Sequence, residues 1–97
     1  MTREEHLLVI LAEECNEVAK EVSKALRFGL DDKKPKQNKT NRQKIAIEFN
    51  DLFAVIRMCI YSGILLDKEV ISIEQMEAKM QKVKKYLQYS KDVGTLT

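Results

Sequence analysis

Two acidic groups stand within apolar sequence: Glu13-Glu14-Cys15-Asn16-Glu17 and, about thirty residues later, Glu48-Phe49-Asn50-Asp51. Carboxylates three residues apart on a helix project from the same side. Glu14 with Glu17, and Glu48 with Asp51, therefore each form a two-pronged oxygen donor. Packing the two helices together brings four carboxylates to one place. At the border of a core such groups repel one another and lose hydration, and protons or a hard divalent cation relieve both costs. The donors are all oxygen, and the single histidine, His6, lies far off near the N-terminus. That set suits Mg²⁺ or Mn²⁺ rather than zinc, and Mg²⁺ sites commonly handle phosphates. A competing reading pairs the acids with surface lysines, as most helical glutamates do. Glu48 and Asp51 weaken it, because they sit in the most apolar segment of the chain, where an ionised group is costly without a partner.

The segments that must position these acids read as helices. The first is predicted from about Thr2 to Phe28: Thr2 and Glu5 have capping-box spacing, and Gly29 can supply a left-handed terminating residue. Leu8, Leu11, Cys15, Val18, Val22, Ala25 and Leu26 recur at steps suited to one core stripe. Ile10, Glu14, Glu17 and Glu21 line one border of that stripe, with Glu14 nearest the core and Glu13 pointing further out. Residues 29–40 form a polar, cationic loop, and loops of that length in small domains often serve as lids or binding segments. A plain solvated connection between antiparallel helices is the alternative.

The second helix is predicted from Thr40 or Asn41 to Gly63. Its apolar residues, from Ile45 to Ile60, cover nearly the whole circumference, and a helix apolar all round is buried all round. Three helices of one short chain cannot cover it, so a second subunit is expected, in a homodimer or homotetramer. A last helix begins at Asp67 or at Ser72, whose spacing to Gln75 again suits a capping box, so a short helical turn can precede it. Ile73, Met76, Met80, Val83 and Leu87 form its apolar stripe, and Lys79, Lys82, Lys84 and Lys85 make it basic. The tail from Ser90 to Thr97 has little to bury and is expected to fray. The fold class that follows is all-α, an antiparallel helical bundle of three main helices completed by homo-oligomerisation.

Composition agrees with this reading and excludes several classes. A chain of 97 residues, with 33% charged and 44% hydrophobic residues, one proline and three glycines, fits a single helix-rich domain. Its net charge of +2 is too small to indicate a nucleic-acid binder. Cys15 and Cys59 lack neighbours at zinc-ligand spacing and are expected to be reduced, buried core residues. The start Met1-Thr2-Arg3-Glu4-Glu5 does not resemble a signal peptide, and no apolar run reaches membrane length. A cytoplasmic location without membrane attachment is expected.

Glu13-Glu14-x-x-Glu17 followed by Glu48-x-x-Asp51 resembles the signature of the MazG-like all-α nucleoside triphosphate pyrophosphohydrolases. That superfamily also includes dimeric dUTPases and phosphoribosyl-ATP pyrophosphohydrolases. The likeness spans nearly the whole chain, including helix order and the lysine-rich last helix. It implies Mg²⁺-dependent hydrolysis of a nucleoside triphosphate between the α and β phosphates, giving a monophosphate and pyrophosphate. It also implies that Glu14, Glu17, Glu48 and Asp51 are metal ligands, and that Glu13 supports them or orients the attacking water. The metal neutralises phosphate oxygens and activates water in such chemistry.

Cations for the triphosphate are sought at Lys24 and Arg27, and on the last helix at Lys79, Lys82 and Lys85. In related proteins a lysine-bearing last helix faces the acids, which favours Lys79 and Lys82 over solvated lysines. Phe28 and Tyr86 could flank a base, although aromatics at helix ends more often pack. The chain departs from the family in its strongly basic segment from Lys33 to Lys44 and in lacking a long fourth helix. Phosphoribosyl-ATP or dUTP hydrolysis is the alternative within the same chemistry. A non-enzymatic helical module that binds an acidic partner or nucleic acid, with the acids in inter-subunit salt bridges, is the alternative outside it.

Overall fold

The computed structural model describes residues Met1–Thr97 and contains helices only: α1 (Arg3–Phe28), α2 (Asn41–Tyr61), the short α3 (Asp67–Val70) and α4 (Ile73–Asp92). Local capping chemistry sets these boundaries. Thr2 Oγ1 accepts the Glu5 N–H at 3.1 Å, and Glu4 and Glu5 occupy the first turn, where the helix dipole favours negative charge. At α2 the capping box is complete: the Gln43 N–H donates to Thr40 Oγ1 at 3.1 Å, and the Thr40 N–H donates to Gln43 Oε1 at 2.8 Å. Gly63, with φ of 76°, ends α2, and the Ile64 N–H reaches back to the Cys59 carbonyl at 2.9 Å. This six-to-one bond across a left-handed residue is a Schellman closure. Ser72 caps α4 by accepting the Gln75 N–H at 3.2 Å, so the short helical turn and the main helix are separate elements.

The chain forms two compact units, Met1–Leu66 and Asp67–Thr97. In the first, α1 and α2 are antiparallel: Arg3 at the start of α1 donates to Ser62 Oγ past the end of α2 at 2.9 Å. At the other end Asn41 Nδ2, at the start of α2, donates to the Gly29 carbonyl at 2.8 Å. The loop between them is anchored at both ends, and in its middle Gln37 Oε1 accepts from Lys44 Nζ of α2. The Asn41 N–H donates to the Asp32 carbonyl at 3.0 Å, and the Arg42 N–H to the Leu30 carbonyl at 2.8 Å.

In the second unit no residue of α4 is buried, and two shallow hollows along it are each lined by α4 residues alone. The tail differs from expectation. The Thr95 and Leu96 N–H groups both reach the Ser90 carbonyl, at 2.9 and 3.2 Å, so the chain after α4 folds back as a cap instead of fraying. No helix is long and apolar enough to cross a membrane.

The rotation of α1 also differs from the sequence reading. Leu8, Cys15, Val22 and Leu26 are exposed, whereas Leu7, Glu21 and Ala25 are buried and Leu11, Glu14 and Val18 half-buried. The physical reason is that a two-helix hairpin covers one face of each helix. The face chosen is the row Leu7, Leu11, Glu14, Val18, Glu21 and Ala25, which also follows helical spacing. Cys15 is therefore an exposed free thiol and only Cys59 is buried, correcting the expectation that both lie in a core. On α2 the covered face runs through Asn41, Ile45, Glu48, Leu52, Val55, Ile56 and Cys59.

Asn41 is 2% exposed and holds the helix hairpin to the loop through both its side chain and its backbone. Asn41→Ala is expected to cost about 1–3 kcal/mol in denaturant unfolding, the usual penalty for losing a buried hydrogen-bond partner. Arg42→Ala, which removes only the exposed pair with Asp31, should stay below about 1 kcal/mol. Equal effects would show that the amide does not anchor the loop.

Candidate metal centre

The covered faces of α1 and α2 meet with acids on both sides. Glu14 on α1 and Glu48 and Asp51 on α2 each offer a carboxylate oxygen, and these oxygens lie within 4.8 Å of one another. Glu14 and Glu48 are half-buried in the seam, while Asp51 is exposed at its edge. The three acids of this triangle come from the two predicted motifs. Glu17 is half-buried one turn along α1 from Glu14, outside the triangle but close enough to act on Glu48. Glu13 is exposed and takes no part in the triangle.

Electrostatics single out Glu48. Its carboxyl is raised above the ordinary glutamate range, first by desolvation and then by the charges of Asp51, Glu17, Glu14 and Glu21. Five carboxylates therefore share one stretch of the seam. A hard cation fits such a set: the donors are all oxygen, three of them already converge, and positive charge would replace repulsion with attraction.

Glu21 was not among the predicted site residues, and it is the most buried acid of the group. It is 8% exposed; its Oε1 accepts from Lys24 Nζ at 3.3 Å, while its Oε2 has no hydrogen-bond partner. The available signal was its helical spacing, since Glu14, Glu17 and Glu21 follow steps of three and four. Assigning the apolar stripe to the neighbouring face hid it.

The other predicted residues fall in separate places. Lys24 is held by Glu21 in the first unit, and the Arg27 guanidinium lies 5.0 Å from the centroid of the Phe28 ring, covering it. Phe28 also lines a small hollow with Asp32, Lys34, Pro35 and Asn41. Lys79, Lys82 and Tyr86 belong to the second unit, where with Val83, Leu87 and Ser90 they line one groove along α4.

The raised Glu48 carboxyl has a consequence with a definite sign. Between the ordinary glutamate pKa and the raised one, the folded chain binds more protons than the unfolded chain, so stability falls as pH rises. In EDTA, wild-type protein should gain melting temperature relative to Glu48→Gln as pH is lowered from neutrality toward the ordinary glutamate range. Thermal unfolding across that window checks it, and a pH-independent difference would remove Glu48 from the strained group.

Compared with known proteins, the chain matches no family model, no curated protein and no solved structure.

Proposed function

We propose that the protein is a Mg²⁺-dependent nucleotide pyrophosphohydrolase, similar to the MazG-like enzymes, that cleaves nucleoside triphosphates or deoxynucleoside triphosphates between the α and β phosphates. The supporting observation is the convergence of Glu14, Glu48 and Asp51 from two helices, with oxygens within 4.8 Å of one another. Glu14, Glu48 and Asp51 would hold Mg²⁺, or Mn²⁺ in its place, with Glu17 adjoining them. The cation would supply charge neutralisation at the phosphate oxygens and a more acidic water. Glu13 would orient that water from the outer side of α1. Within the first unit Lys24 and Arg27 are the proposed phosphate contacts and Phe28 the proposed base contact.

The reading also includes self-association in the cytoplasm. Phe49 and Phe53 are stacked on the outer side of α2 with ring centroids 6.2 Å apart, and they are 41% and 57% exposed. An exposed aromatic pair of this kind suits a protein interface. A homodimer or homotetramer would complete the bundle. The non-enzymatic reading, with the acids reserved for inter-subunit salt bridges, is less well supported. Glu14 and Glu48 face each other within one chain rather than outward.

A pyrophosphate-release screen with all nucleoside and deoxynucleoside triphosphates, dUTP and phosphoribosyl-ATP tests the reaction and its specificity together. Release is expected in Mg²⁺ and not in EDTA. Glu48→Gln and Asp51→Asn should each lower kcat/KM by about 100-fold or more, with melting temperature unchanged or raised because like-charge repulsion is relieved. Wild-type turnover in either variant would overturn the assignment. Light scattering at low micromolar concentration should give at least twice the 11.3 kDa chain mass, and a folded monomer would refute the subunit reading.

A further inference from the structure

Within its own chain α4 presents an apolar row that nothing covers. Ile73, Met76, Met80, Val83, Leu87 and Ser90 follow one another at alternating steps of three and four, and the five apolar members are all exposed. Strict alternation of those steps is the heptad of a two-helix coiled coil, whose apolar residues recur every ~3.5 residues along one narrow seam. A helix packed on a broad globular core carries a wider stripe. Away from the seam α4 is mostly polar, with Glu74, Gln75, Gln81, Lys82, Lys85 and Gln88 at outer positions.

The groove along one flank of this seam has the form that a facing helix requires. Val83, Tyr86, Leu87 and Ser90 line it at the spacing i, i+3, i+4, i+7, the four residues that make a hole for one knob of a partner helix. Its volume of about 220 Å³ is below the ~300–1,000 Å³ of most small-molecule sites. The hollow therefore suits a protruding side chain rather than a ligand.

Charge selects the partner and its direction. With Ile73 and Met80 at heptad position a, Glu77 and Lys84 fall at e, and Lys79 and Tyr86 at g. Two parallel copies of α4 bring g of one against the following e of the other, so Lys79 meets Lys84 of the second copy on both flanks. Reversing one copy sets a against d and e against e. Met76 then stands opposite Leu87 of the second copy, Met80 opposite Val83, and Glu77 beside Lys84. Both copies make the same contacts, as a two-fold axis requires. Repulsion opposes the parallel pair, and two opposite-charge contacts favour the antiparallel one.

We propose that α4 pairs with α4 of a second copy of this chain as a short antiparallel coiled coil, with Met76 of each helix seated in the groove of the other. A flexible methionine is suited to filling such a hole. This face is separate from the Phe49 and Phe53 pair on α2, and the pairing does not depend on the proposed reaction.

Full-length Met76→Cys and Leu87→Cys proteins, mixed at low micromolar concentration in a glutathione redox buffer, test partner and direction together. Both positions are exposed in the single chain, so neither substitution removes packing within it. The expected product is a disulfide between position 76 of one chain and position 87 of the other, mapped by mass spectrometry and about tenfold or more above the 76–76 and 87–87 products. Placing Glu77→Lys in both chains should lower its yield about tenfold or more by setting lysine against lysine, and adding Lys84→Glu should restore it. Predominant 76–76 and 87–87 disulfides would show a parallel pair, and disulfides to the exposed Cys15 would seat α4 on α1 of another copy. Either result would overturn the proposal, as would the absence of any disulfide from α4 or an undiminished yield in Glu77→Lys.

Discussion

Repulsion between like charges held on facing helices is the constraint around which the first unit is arranged. Glu14 and Glu17 on α1 face Glu48 and Asp51 on α2, and one turn further along Glu21 is paired with Lys24. A hairpin of two helices would be easier to hold together with leucine at those positions, because unpaired charge near an apolar seam opposes packing. The acids carry crowded negative charge that positive charge would relieve.

The hairpin has little apolar core to set against that repulsion. Only Leu7, Ala25 and Cys59 are buried hydrophobic residues, and Cys59 alone is fully enclosed. Hydrogen bonds at the two ends, Arg3 to Ser62 and Asn41 to Gly29, fix the pairing of the helices where packing does not. Much of the apolar surface of α1 and α2 faces outward, including Leu26 at 83% exposure. For a small chain, burial against another copy is the direct way to recover the missing hydrophobic stabilisation.

Helix ends were legible in the sequence because they depend on local chemistry. Thr2 and Ser72 cap α1 and α4 where their spacing to Glu5 and Gln75 indicates, Thr40 caps α2 at one of the two starts open in the sequence, and Gly63 stands at the end of α2 as a residue tolerant of positive φ. The acid triangle was legible for a similar reason, since helical spacing alone puts Glu48 and Asp51 on one side. Helix rotation was not. α1 carries two overlapping apolar rows, one through Leu8, Cys15 and Val22 and one through Leu7, Val18 and Ala25, and periodicity cannot rank them. The partner helix decides between them, and with that choice Glu21 moved inward and Cys15 outward.

The anchoring of the loop at residues 29–32 and 40–42 separates its ends from its middle. Because the chain is already closed by Asn41 and Arg42, the stretch from Lys33 to Lys39 adds little to the geometry of either helix. Lengthening such a segment carries a small entropic cost, about 0.6 kcal/mol per doubling. The middle of the loop can therefore change length at small cost to the two-helix frame, losing the Lys44–Gln37 hydrogen bond to α2.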